Sequence, residues 1–218
     1  MDDRRVKLFI DEINLMIDYC FYSFNQMNKV LISIDRGEKF DRDYFWYYSQ
    51  TFITYAANIS KLLWPTKNRN ETSKEFSLRK EFRNELRDLL GVERNILLND
   101  KKLRNRFEHL DENLDNFKEN VIFSKNFGPV TGLIQMDGKD YNLSKQKQLR
   151  HYDPYSKTLY LYGEKMNIQD LYNEIKSLSE KVAEFEKRGN EIFHSNSQQS
   201  RLRSVVPIDN QSAEQDDG

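Results

Sequence analysis

Arg104-Asn105-Arg106-Phe107-Glu108-His109 puts an arginine, an amide and a histidine within about one and a half turns of one expected helix. An imidazole moves protons near neutral pH, and a guanidinium holds anionic phosphate oxygens in a planar fork. Arg and His are thus the minimal pair for metal-independent chemistry on a phosphodiester. Advancing about 100° per residue gathers Leu103, Phe107, Leu110 and Leu114 into one apolar stripe. Asn105 and His109, an i,i+4 pair, fall nearly opposite it, with Arg104 and Glu108 at their flank. The polar trio is therefore aimed away from the helix's own core. Lys101 and Lys102 precede it at the expected helix start, where free N–H groups also attract anions. Spacing alone is a cheap signal: Arg188 and His194 satisfy it too, beside Gly189, and that copy reads as a chance match.

The elements that must position this motif are read from apolar periodicity. Leu8, Ile13, Met16, Ile17, Cys20, Phe24, Met27, Val30 and Leu31 recur at helical spacing over residues 5–35, ending near Arg36-Gly37. A second helix is expected from Asp41, a suitable N-cap, to Leu63-Trp64, where Pro65 stops it. Residues 66–74 read as a loop. A third helix over 75–90 has Phe76, Leu78, Phe82, Leu86, Leu89 and Leu90 inside, alternating charges outside, and Gly91 as its C′ residue. A fourth, capped by Asn99 or Asp100, carries the motif to about Lys118.

After Asn120 short β-like runs appear, Val121-Ile122-Phe123, Gly132-Leu133-Ile134 and Thr158–Tyr162, separated by Gly128-Pro129, Asp137-Gly138 and Asp153-Pro154. They predict a small β-rich insertion over about 121–165, followed by a last helix over roughly 167–188. The expected fold class is mainly α, an antiparallel helical bundle with this insertion before the last helix. One domain spans 1–194, and the polar 195–218 form a disordered tail. Tyr44-Phe45-Trp46-Tyr47-Tyr48 covers a full helical circumference, which favours a core plus a dimer interface over a platform for bases. His151 is expected in a surface loop.

The 34 basic and 35 acidic side chains balance to a net charge of -1, so nucleic-acid contact must come from a local patch. Cys20 is the single cysteine, which excludes an intrachain disulfide or a zinc cluster and suits a reducing cytoplasm. Neither a signal peptide nor a membrane span is expected.

Arg104-Asn105-x-x-x-His109 resembles the signature of the HEPN superfamily, in which a polar residue commonly follows the arginine. The block from Leu103 to Asp111, and Ala56–Pro65 at the end of the second helix, also resemble those of bacterial members. The resemblance implies a homodimeric endoribonuclease whose two motifs face each other across a cleft. Such an enzyme needs no metal or cofactor and leaves 2′,3′-cyclic phosphate ends. Carried over, His109 is the general acid or base, Arg104 binds the phosphate or stabilises charge on phosphorus, and Asn105 orients the imidazole or the phosphate. Lys101, Lys102, Arg106 and Lys61 would hold RNA, and an antitoxin or regulatory protein is a further partner it implies. Asp111 stands where one toxin branch has a tyrosine, which argues against modification there. The alternative is a HEPN-like module that binds RNA, a nucleotide or a protein without catalysis.

Overall fold

The computed structural model describes residues 3–38, 41–100, 115, 125–129, 133–136, 138–142, 149–161 and 164–203, with side chains throughout except at 133–136, 141–142 and 189–203. The described chain is mainly helical with a small sheet before its last helix. Helix α1, Asp3–Asp35, buries Val6, Ile10, Ile13, Ile17, Cys20, Phe24, Met27 and Val30. Steps of three or four residues separate these positions, one continuous stripe. Gly37 ends the helix at φ +67, donating to the Ile34 carbonyl while Glu38 N–H reaches Ser33, so the last carbonyls are satisfied in a Schellman turn.

Helix α2, Arg42–Leu63, begins as expected at Asp41, whose carboxylate accepts the Asp43 N–H at 2.9 Å. It runs antiparallel to α1: Tyr19 meets Tyr55, and Tyr22, farther along α1, meets the earlier Tyr48. The Cys20 thiol donates to the Phe52 carbonyl of α2 at 3.7 Å, and its burial raises the thiol pKa strongly. Helix α3, Ser73–Leu90, starts earlier than the apolar pattern predicts. The cause is a capping box: Thr72 Oγ1 accepts the Glu75 N–H at 3.2 Å, and Glu75 accepts the Thr72 N–H at 2.9 Å. Gly91, at φ +63, closes it with a second Schellman turn. The inside–outside expectation for α3 needs correction. Phe82, Leu86 and Leu90 are buried, but Leu78 and Leu89 are exposed, and Arg83 and Arg87 are buried in their stead.

Six short strands follow: β1 Asn126–Phe127, β2 Leu133–Met136, β3 Lys139–Asn142, β4 Arg150–Asp153, β5 Thr158–Leu161 and β6 Glu164–Asn167. One sheet has the order β1-β4-β5-β6, with β1 parallel to β4 and the other pairs antiparallel; β2 and β3 form a separate hairpin. The four-stranded sheet is held to the start of α2 by aromatic packing. Phe45 lies 4.9 Å from Phe127 and 4.8 Å from Tyr152, and Trp46 lies 5.4 Å from Phe127. Lys125 adds a 2.8 Å ion pair to Asp43. The aromatic run of α2 is thus divided: Phe45 and Trp46 are core, whereas Tyr44 and Tyr47 are exposed.

Helix α4, Ile168–Arg203, is capped by the Asn167 side chain, which accepts from Gln169 and Asp170 N–H. Ile168, Leu171, Ile175, Leu178 and Val182 form its buried stripe, and Tyr172 stacks on Phe24 of α1 at 4.1 Å. It extends past residue 188, where the pattern predicts its end. Gly189 costs a helix only about 1 kcal/mol, and no proline intervenes before Pro207. The chain divides into two compact units, residues 1–182 and 183–218; in the second, Glu184 and Arg188 form an i,i+4 pair at 4.0 Å. The expected fourth helix and the Val121-Ile122-Phe123 run lie outside the described residues, apart from Asp115, which is helical and exposed.

Candidate functional site

Lys101, Lys102, Arg104, Asn105, Arg106, Glu108, His109 and Asp111 lie outside the described residues, as does the side chain of His194. Of the expected site residues, Lys61 alone is described; it is exposed in the last turn of α2. What is described is the segment leading into the motif. Leu97–Asn99 form one 3-10 turn with Leu98 fully buried, and the Glu174 carboxylate of α4 accepts the N–H groups of Leu97 at 2.8 Å and Leu98 at 3.0 Å. Two turns along the same helix, Lys181 Nζ donates to the Gly91 carbonyl at 2.6 Å. A carboxylate therefore caps a helical N-terminus and an ammonium caps a C-terminus, each on the side the helix dipole favours. Between these anchors lies a cleft of about 170 Å³ lined by Val92, Glu93, Ile96, Glu174, Leu178 and Lys181. No local pattern in the sequence reveals this clamp, because its partners are 77 and 90 residues apart.

Charge chemistry among the described residues concentrates on α3. Arg79, Arg83 and Arg87 recur every fourth residue, a single row along the helix. Arg79 is committed: its guanidinium forks onto Glu71 at 2.8 and 2.6 Å and reaches the Thr66 carbonyl at 2.7 Å. That bond raises the Arg79 pKa and lowers that of Glu71. Arg87 is committed too, donating to the Leu63 carbonyl and to Asn84 Oδ1, with Trp64 beside it. It thereby satisfies an end carbonyl of α2 that lacks an intrahelical partner. Burial lowers its pKa, as does the charge of Arg94.

Arg83 differs. It is 7 % exposed, its Cζ sits 3.5 Å from the centre of the Phe9 ring, and Nε and Nη1 have no acceptor. Burial, then the charges of Arg5 and Arg79, pull its pKa down to about 10. Arg5 lies 4.1 Å over Phe82, which packs edge-on against Phe9 at 5.3 Å. Arg83 also lies 5.3 Å from the Phe82 ring centre, so both cations share that ring. A desolvated cation over a ring gains about 2 kcal/mol, less than the several kcal/mol that burying a charge costs. The rings offset part of that cost and leave Nε and Nη1 unmet. A row of arginines within about 60° of the apolar stripe was present in the sequence, but reading α3 as charged outside concealed it.

His151 requires a second correction. It lies in β4, not a loop, and is 3 % exposed. Nε2 is 2.8 Å from the Gly128 carbonyl, so that nitrogen carries the proton; Nδ1 is buried without a partner. Burial lowers its pKa, opposed by the bond to Gly128 and by Asp153. A neutral histidine bonded to a carbonyl ties β4 to the turn after β1 and is structural.

The outer face of the α1–α2 pair carries tyrosines. Tyr22 and Tyr47 are 59 % and 63 % exposed, and Tyr48 lies between Tyr22, Tyr44 and Tyr47 at ring distances of 6.3, 6.4 and 5.2 Å. Among the described residues no helix is long and apolar enough to cross a membrane. No family model, characterised protein or solved structure matches the chain.

Proposed function

We propose that the chain is a metal-independent endoribonuclease of HEPN type that acts as a homodimer in phage defence or a toxin system. What carries this reading is a sequence pattern: on the expected helix Asn105 and His109 fall nearly opposite the apolar Leu103, Phe107, Leu110 and Leu114, with Arg104 at their flank. A motif turned from its own core faces either solvent or a second protomer, and the dimer of this reading supplies the second. The mainly helical architecture supports the reading, as does the anchoring of Leu97 and Leu98 just ahead of the motif.

In this reading the substrate's 2′-hydroxyl attacks the adjacent phosphorus and expels the 5′-oxygen, leaving a 2′,3′-cyclic phosphate. One His109 takes the proton from the 2′-oxygen, and its counterpart across the dimer delivers one to the departing 5′-oxygen. Arg104 holds the non-bridging oxygens as charge accumulates. Asn105, one turn before His109, orients the imidazole. Lys101, Lys102, Arg106 and Lys61 hold the flanking phosphates.

Incubation with mixed RNA in EDTA yields cyclic-phosphate ends from the wild type, and His109→Ala and Arg104→Ala abolish them while far-UV dichroism stays unchanged. Cleavage that survives His109→Ala rejects the assignment. The exposed tyrosines of α1 and α2 favour a second reading, a module that binds RNA, a nucleotide or a protein without cutting. Binding that weakens in Arg104→Ala, with no cleavage by the wild type, selects it.

A further inference from the structure

We propose that the seam between α1 and α3 is an oxyanion site, in which a phosphate group binds between Arg83 and Arg5. The site is separate from the motif of residues 104–109, and the inference does not rest on the nuclease reading.

The first observation is an incomplete inventory of partners. A guanidinium presents five N–H donors along two usable edges. In Arg83 the unmet atoms are Nε and Nη1, one on each edge, so neither edge is fully used. A ring face receives the charge of a guanidinium stacked on it, but it offers no lone pair to N–H groups in the guanidinium plane. Native buried donors are nearly always paired, which makes this side chain an exception that calls for a ligand.

The second observation is the uncompensated charge. Arg5 and Arg83 both lie beside Phe82, 4.1 and 5.3 Å from its ring centre, and no described carboxylate pairs with either. The acid on the neighbouring stretch, Glu71, is consumed by Arg79. Arg79 and Arg87 show that this helix binds its other arginines to oxygens, so the missing acceptor at Arg83 is specific to that place.

The ligand chemistry follows. Two guanidinium groups beside the one Phe82 ring call for a compact group with several oxygens and more than one negative charge. A phosphate meets this better than a carboxylate, because its tetrahedral oxygens serve two forks that are not coplanar. Arg5 is exposed and lies in the first turn of α1, so the anion enters on its side, where the helix dipole also favours negative charge. The phosphate comes either from inorganic phosphate or from a ribonucleotide chain, and the binding chemistry is shared.

The test is thermal unfolding of the full chain with increasing sodium phosphate, against sodium chloride at equal ionic strength. A short uridine oligoribonucleotide forms a second arm. The expected result is a saturable rise in Tm with phosphate that chloride does not reproduce. Arg83→Met, which keeps an unbranched side chain against Phe9, weakens the phosphate effect about tenfold or more. Arg5→Gln, at an exposed position that leaves the core intact, weakens it about threefold, and so provides an answer if Arg83→Met folds poorly. An Arg83-dependent response to the oligonucleotide at lower concentration than to phosphate assigns the group to RNA; a response to phosphate alone assigns the free anion. Equal shifts in wild type and both variants, or no shift beyond chloride, overturn the proposal.

Discussion

Arg87 and Arg83 sit one turn apart on the same face of α3, are both nine-tenths buried, and are held in opposite ways. Arg87 completes the end of α2 by donating to the Leu63 carbonyl, so its cost of burial is set against a backbone group that would otherwise be orphaned. Arg83 packs on rings, and its Nε and Nη1 have no acceptor. Burial alone therefore does not reveal a side chain's role. A buried charge with a backbone partner belongs to the architecture, whereas one without a partner marks a place where the architecture is unfinished.

That contrast breaks most readily at Arg87. Replacing it by Met strands the Leu63 carbonyl, and urea unfolding should show a loss of about 2–3 kcal/mol, the scale of a hydrogen bond to a charged group. A loss no larger than that of an exposed-site variant would dissolve the distinction. Arg83→Met should act with the opposite sign. Removing an unpaired buried charge while keeping an apolar chain over Phe9 raises stability by about 1 kcal/mol in phosphate-free buffer. A large loss there would mean that the rings fully compensate the charge.

His151 sharpens the comparison in a third place, with the smallest effect. Its folded-state pKa lies below the ordinary 6.5, mainly from burial. Between those two values the unfolded chain binds more protons, so the stabilisation is complete above 6.5 and is lost as pH falls through the folded value. His151→Gln keeps a donor for the Gly128 carbonyl and removes the titration. Urea midpoints at pH 7 and pH 5 should show the wild type losing more stability than the variant; parallel losses would exclude His151 as the sensor.

The caps and stripes of the helices were legible in the sequence because they are local. The Asp41 N-cap, the stop at Pro65 and the Gly91 turn each depend on residues within one turn of the helix end. The Thr72–Glu75 box was equally local but stood just ahead of the apolar pattern, in a stretch whose polarity reads as loop. His151 and the arginine row were misplaced for another reason. Polar residues are assigned outward by default, and only tertiary packing turns them in. The strand containing His151 is four residues long and pairs with partners on both sides, which no single-strand pattern encodes. Of the expected site, the structure describes Lys61 and the approach through Leu97 and Leu98.

The Glu174 and Lys181 anchors have a consequence for the order of events during synthesis. The loop entering the motif leaves the ribosome well before the helix that holds it, since Glu174 follows Leu97 by 77 residues. At roughly 5–20 residues per second this interval lasts about 4–15 s. A nascent chain halted inside the β-rich segment carries the motif without its mount. Completion of α4 is then the step that converts a tethered peptide into a braced one, and a chain truncated before residue 174 should never reach that state.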